Sequence, residues 1–147
     1  MKTIEFLSRF DGESVIGVES SRYGHYVSSS LGNYKGSALV TGGDSNKTEI
    51  FDSQSQSWRS VADYPIVLSS TSVAGFQFAH YGTASTAEAV FIIGGWDGYN
   101  YLSNIMKYED DLWTSAGKLQ QTRGYHSVIS LGSSKMIIGG QSSNVEP

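Results

Sequence analysis

Three histidines, His25, His80 and His126, are the side chains of this chain best suited to hold a transition metal, and each occurs just upstream of an apolar run that ends in a glycine doublet. Three imidazoles at one level would supply the nitrogen donors that zinc or copper favours. Recurrence once per repeat argues instead for a packing or hydrogen-bonding element of each unit, so no metal ligand is assigned. The densest acidic cluster, Glu109-Asp110-Asp111, falls where a tight turn is expected. Turns favour aspartate and nothing there would desolvate the carboxylates, so the cluster reads as a solvated hairpin tip and not as an acid/base couple. The serines and histidines form no nucleophile elbow or triad motif. With no cysteine, disulfides and cysteinyl zinc sites are excluded. The expectation is a chain without catalytic residues, metal or cofactor.

The elements that position these residues are set by the doublets. Ala38-Leu39-Val40-Thr41-Gly42-Gly43, Ala89-Val90-Phe91-Ile92-Ile93-Gly94-Gly95 and Lys135-Met136-Ile137-Ile138-Gly139-Gly140 recur after 52 and then 45 residues, an interval near the blade length of a β-propeller. After the first doublet come Phe51 and Trp58; after the second come Tyr108 and Trp113. Upstream, Arg22 and His25 match Arg123 and His126, three apart in both copies. Continuous apolar runs suit strands covered on both faces by stacked sheets. Glycine would end each run because the backbone must turn there in a conformation that side chains hinder, and Trp58 and Trp113 would fill the gaps between sheets. In the second unit the strands are expected near Ser72 to Tyr81, Glu88 to Ile93, Asn104 to Tyr108 and Leu112 to Ser115, separated by Gly-, Ser- and Asp-rich turns.

A double glycine followed by an aromatic and a tryptophan resembles the kelch repeat, and the clearest copy runs from Gly94-Gly95-Trp96-Asp97-Gly98-Tyr99-Asn100-Tyr101-Leu102 to Tyr108 and Trp113. Phe51 to Trp58 spans seven positions, as is typical of that family; Tyr108 to Trp113 spans five, which implies a hairpin two residues shorter. The structural signature is therefore Gly42, Gly43, Phe51, Trp58, Gly94, Gly95, Tyr108, Trp113, Gly139 and Gly140. The resemblance covers about Arg22 to Gly140 and implies an all-β kelch-type propeller segment of four-stranded antiparallel blades, two complete and one split or incomplete. The implied divisions are a strand hairpin in 1–21 that completes a blade, blades at 22–66 and 67–121, and the first half of a blade at 122–147. Thr3-Ile4-Glu5-Phe6 looks like Thr48-Glu49-Ile50-Phe51, and Glu13 to Val18 would be its return strand.

Propellers close with about 4 to 8 blades, so three blade-lengths are expected to associate with further blades, to pair as a homodimer, or to be a fragment. Some kelch-like propellers are copper oxidases whose cofactor joins a tyrosine to a cysteine; that cofactor cannot be built without cysteine. A formal net charge of −4 without clustered Lys or Arg argues against nucleic acid or an anionic membrane as partner. The apolar runs are too short to span a bilayer, and the first residues lack a secretory signal, so the expected compartment is the cytoplasm.

The remaining reading is a non-catalytic scaffold that binds a protein partner through blade loops. The family resemblance points to two loop sets on one face. The loops after each doublet hold Asp44, Ser45, Asn46 and Lys47, then Trp96, Asp97, Tyr99, Asn100 and Tyr101, then Gln141 and Ser142; the links between blades hold Asp63, Tyr64 and Pro65, then Gln120, Gln121 and Arg123. Trp96, Tyr99 and Tyr101 have the amphipathic character of interface hot spots, or they cap the blade next door. The alternative function is that of a propeller enzyme or carbohydrate-binding propeller whose site needs blades outside this chain, or of a fragment without independent function.

Overall fold

The computed structural model describes residues 5–7, 15–17, 21–23, 29–43, 45–66, 82–86 and 88–142. His25, His80, Asp44 and the expected strand Ser72 to Tyr81 lie outside the described residues. Among the described residues there are twelve strands, and every pairing between them is antiparallel. β1 (Glu5–Leu7) and β2 (Val15–Gly17) form a hairpin with Phe6 opposite Ile16. β3 (Ser29–Tyr34), β4 (Ser37–Gly42), β5 (Thr48–Asp52) and β6 (Ser57–Ser60) make one four-stranded sheet in sequence order. A second is made the same way by β7 (Gly82–Ser85), β8 (Val90–Ile93), β9 (Asn104–Glu109) and β10 (Leu112–Lys118). β11 (Gly124–Leu131) and β12 (Ser134–Gln141) form a two-stranded sheet. The chain is thus all-β, with the antiparallel sheets expected of propeller blades.

All six doublet glycines have positive φ: Gly42 86°, Gly43 80°, Gly94 60°, Gly95 110°, Gly139 73° and Gly140 98°. A Cβ would be strained at each, which is why the apolar strands stop on glycine. The aromatic and the tryptophan of each repeat stand directly opposite one another, Phe51 against Trp58 and Tyr108 against Trp113. The connecting turns differ in length as the spacing implied. Residues 53–56 link β5 to β6, whereas only Asp110 and Asp111 link β9 to β10. Both aspartates have positive φ, 48° and 59°, the geometry of the type I′ hairpin turn, whose twist matches that of the strands. Lys35 and Gly36, φ 50° and 82°, make a turn of the same hand between β3 and β4.

One described strand lies beyond the end at Tyr81 that the sequence suggested, the expected span itself being outside the described residues. The strand that pairs with β8 includes Gly82–Ser85, a Gly-Thr-Ala-Ser stretch that reads as a turn because it offers no large apolar side chain. Its role depends on backbone pairing and on small side chains at a crowded seam. β3 packs on β7 and β8, and β11 packs on β7. Ser85 serves both neighbours, accepting from the Asn33 N–H on its hydroxyl at 2.9 Å and from the Ser130 hydroxyl on its carbonyl at 3.1 Å. The β7–β10 sheet is therefore held between the β3–β6 and β11–β12 sheets.

The core fills the first of these seams. Tyr34, Leu39 and Ile50 from one sheet meet Val90 and Tyr108 from the other, with Val61 and Trp113 packed against them. Tyr34 and Tyr108 meet edge to face at 5.0 Å, and Trp113 continues the aromatic chain to Tyr108 at 5.1 Å and to Tyr64 at 4.8 Å, favourable geometries for ring quadrupoles. The Trp113 indole N–H donates to the Ala62 carbonyl at 3.1 Å, so this tryptophan bridges two sheets as expected. Trp58 lies against Phe51 of its own sheet. The third apolar run departs from the two-sided burial expected of it. On one face of β11–β12, Ile129, Leu131, Met136 and Ile138 are about half exposed.

Candidate functional site

The loops that follow each doublet and the links that precede the next sheet converge, because the turning glycines deliver both to the same end of the strands. At the first unit, the Tyr64 N–H donates to the Asn46 carbonyl at 2.7 Å, and Lys47 pairs with Asp63 at 2.6 Å. The hydrogen bond to Asp63 is the main reason the Lys47 ammonium is held above its ordinary pKa. Its nitrogen also lies over the Tyr23 ring at 5.7 Å, within cation–π range. Beneath these loops, Thr41 and Thr48, paired across β4 and β5, share a buried hydroxyl hydrogen bond of 2.8 Å. Glu49, fully buried, accepts from the backbone N–H groups of Arg22 and Tyr23 at 3.1 and 3.2 Å. That carboxylate fastens the segment leading toward β3, a role that periodicity alone does not reveal.

Tyr64 was expected among the partner-facing residues; the structure buries it to 2% exposure between Trp113 and Ile92. Burial of its ring is what completes the seam, and the same burial raises its phenol pKa.

The second unit shows why its doublet must be glycine for a reason beyond φ. The Gly95 N–H donates to the Arg123 carbonyl at 2.7 Å, the Arg123 N–H to the Leu102 carbonyl at 2.8 Å, and the Leu102 N–H to the Gly95 carbonyl at 2.9 Å. These three bonds join the doublet, its loop and the next link in a closed backbone circuit. A Cβ on Gly94 would lie 2.5 Å from the Arg123 carbonyl oxygen, closer than atoms pack. Arg123 is further occupied by a hydrogen bond from its guanidinium to the Gly139 carbonyl.

Within the loop itself, the Asp97 carboxylate accepts from the N–H groups of Tyr99 at 2.8 Å and Asn100 at 2.7 Å, the Asx arrangement that stiffens a turn. Trp96 and Tyr101 form a β-bridge at its base with rings 4.9 Å apart. Tyr101 reaches the neighbouring sheet: its hydroxyl donates to the Gln141 side-chain oxygen at 2.8 Å, its ring meets Tyr125 at 6.1 Å, and a Cβ on Gly124 would lie 2.7 Å from its Cδ1. Tyr99 does the opposite and is 86% exposed. The aromatic trio thus divides, with Trp96 and Tyr101 forming the base of the loop and Tyr99 its projecting tip. Asn100 and Gln121 are exposed, while Thr122 and Ser142 share a hydrogen bond of 3.2 Å.

At the opposite, turn end of the sheets lies a cluster that the sequence did not reveal. Lys35 pairs with Asp110 at 3.4 Å and Glu88 at 3.9 Å, and Arg59 pairs with Asp111 at 3.3 Å. The Asp110 N–H donates to the Tyr34 hydroxyl at 3.1 Å, and the Tyr108 hydroxyl donates to Asp111 at 2.8 Å. Asp110-Asp111 is thus a hairpin tip, as read, but one latched to the neighbouring sheet. Among the described residues no three His, Asp or Glu side chains are grouped as metal ligands would be, and His126 is the one repeat histidine that is described.

The chain matches proteins already known by these repeats. A family model for the kelch motif matches residues 77–120, the span that contains Gly94-Gly95, Tyr108 and Trp113. The chain is also similar to Kelch-like protein 36 of Bos taurus, 31% identical over 106 residues that make up 69% of this chain and 15% of that protein. The same protein of Rattus norvegicus and of Mus musculus is 31% identical over 106 residues, 69% of this chain and 16% of each relative. The aligned region therefore spans only 15–16% of the length of these curated relatives.

Proposed function

We propose that this chain, a member of the kelch-repeat family, acts as a non-catalytic scaffold that binds a protein partner through the loops at the doublet end of its sheets. The reading is supported most by the loop from Trp96 to Tyr101. Its base is fixed by the Trp96–Tyr101 bridge and by Asp97, while Tyr99 projects 86% exposed from its tip. A rigid, amphipathic aromatic on a preorganised loop binds at a low cost in entropy and is the residue type enriched at interface hot spots. Asn100, Gln121 and the Lys47–Asp63 pair give the same end of the molecule varied polar character.

Affinity capture with the wild-type chain and with Tyr99→Ser tests this. Tyr99 makes no packing contact that would be missed, so the variant should melt at the wild-type temperature and lose at least tenfold in retention of a specifically bound protein, about 1.4 kcal/mol or more. Tyr101→Ser should lower the melting temperature, since its ring and hydroxyl hold the neighbouring sheet. Equal capture by wild type and Tyr99→Ser would reject this loop as the binding surface.

A further inference from the structure

His126 is the residue among those described whose buried side-chain polar atoms, Nδ1 and Nε2, are both without a hydrogen-bond partner. It is 7% exposed, in β11, and a Cβ placed on Gly94 would come within 3.1 Å of its Cε1. The imidazole is therefore wedged between β11 and the end of β8 in the neighbouring sheet. Among the described residues, no side that meets it supplies a counter-charge. Across the ladder stands Gly139, which has no side chain; from the neighbouring sheet come Ile93 of β8 and Gly94 just beyond it; on its own side stands the Arg123 guanidinium, whose positive charge opposes a second one. The surroundings accept a neutral imidazole and reject a cation.

We propose that the seam between the β11–β12 sheet and the β7–β10 sheet is a proton-sensitive joint, closed by neutral His126 and loosened when that side chain takes up a proton. The direction follows from the environment. Burial holds the His126 imidazole below its ordinary value of 6.5, with Arg123 adding to the shift, while the backbone of Ile93 and Gly124 opposes it without reaching hydrogen-bond geometry. Once the seam opens, the histidine titrates near 6.5. The closed state is therefore at full strength above that pH and weakens as pH falls through it, until the closed-state value is reached. Because Gly95 and Tyr101 contact Arg123 and Gly124, just ahead of His126 in the chain, opening would release the base of the Trp96–Tyr101 loop. The joint does not depend on which partner that loop binds.

The test is made on the full chain. Proton NMR of the imidazoles gives the titration of His126, and amide hydrogen exchange gives protection factors in β11 and β12 at about pH 7.5 and 5.5, for wild type and His126→Phe. The proposal expects His126 to titrate below 6.5 and protection to fall by up to about tenfold at the lower pH in the wild type, with no such fall in His126→Phe. Titration at or above 6.5, protection in the wild type that ignores pH, or an equal fall in the variant would overturn it. Should His126→Phe fail to fold, the wild-type titration together with its protection factors still decides.

Discussion

Asp111 sits at an exposed hairpin tip, yet it accepts a hydrogen bond from the buried Tyr108 hydroxyl and an ion pair from Arg59 of the adjacent sheet. The Tyr108 hydrogen bond first, and Arg59 with it, hold its carboxyl below the ordinary 3.8. A group depressed in the folded state stabilises it above its unfolded pKa and loses that contribution as pH falls through the folded value. Asp111→Asn should therefore cost less than about 1 kcal/mol near neutrality, the scale of an exposed pair, and urea unfolding should show the difference from wild type vanishing below about pH 3.8. A difference that persists in acid would mean that packing, and not charge, holds the tip. The acidity of this turn was legible in Glu109-Asp110-Asp111, but its attachment was not. Its partners Lys35 and Arg59 come from a different sheet, and only the stacking of two sheets brings residues 75 apart in sequence together.

At the scale of the strands, Gly32 in β3 marks a close approach of the two four-stranded sheets. A Cβ there would fall 2.5 Å from Val90 Cγ1 and 3.2 Å from the Ser85 hydroxyl. Gly32→Ala should overpack the seam and destabilise by about 1–3 kcal/mol, seen as a lower midpoint in denaturant with an unchanged slope; a neutral effect would show that β3 can shift away. Sequence patterns capture what lies along one chain segment. The doublets announced their positive φ because glycine there has few other uses, and the seven- and five-residue spacings gave the opposed Phe51–Trp58 and Tyr108–Trp113 pairs with their unequal turns. The strand character of Gly82–Ser85 was not read because Gly-Thr-Ala-Ser fits the space left by its neighbours and carries no apolar signal of its own. The burial of Tyr64 was hidden likewise, since an aromatic beside Asp63 and Pro65 looks like loop until Trp113 arrives from the next unit.

For the whole molecule, the decisive fact is that one sheet lies between two others. Val90 faces the first sheet at Gly32, and the next residue, Phe91, lies 5.6 Å from the Lys135 nitrogen of the third. Val90, Ile92 and Tyr108 are wholly buried, whereas β12 is mostly exposed. Amide exchange should therefore be slowest in β8 and β9 and fastest in β12, as local stability follows burial; equal protection throughout would indicate a single cooperative unit. The apolar run in β12 resembles that in β8, so the sequence signals capacity for two-sided cover and is silent about what supplies it. The two four-stranded sheets also share a simpler property, since each joins consecutive strands in sequence order. On a ribosome adding about 5–20 residues per second, a hairpin that closes in about 1–10 μs would pair as soon as it emerged. Each sheet would then be available as a finished template before the strands of its successor were synthesised, so the order of translation would also be the order of assembly.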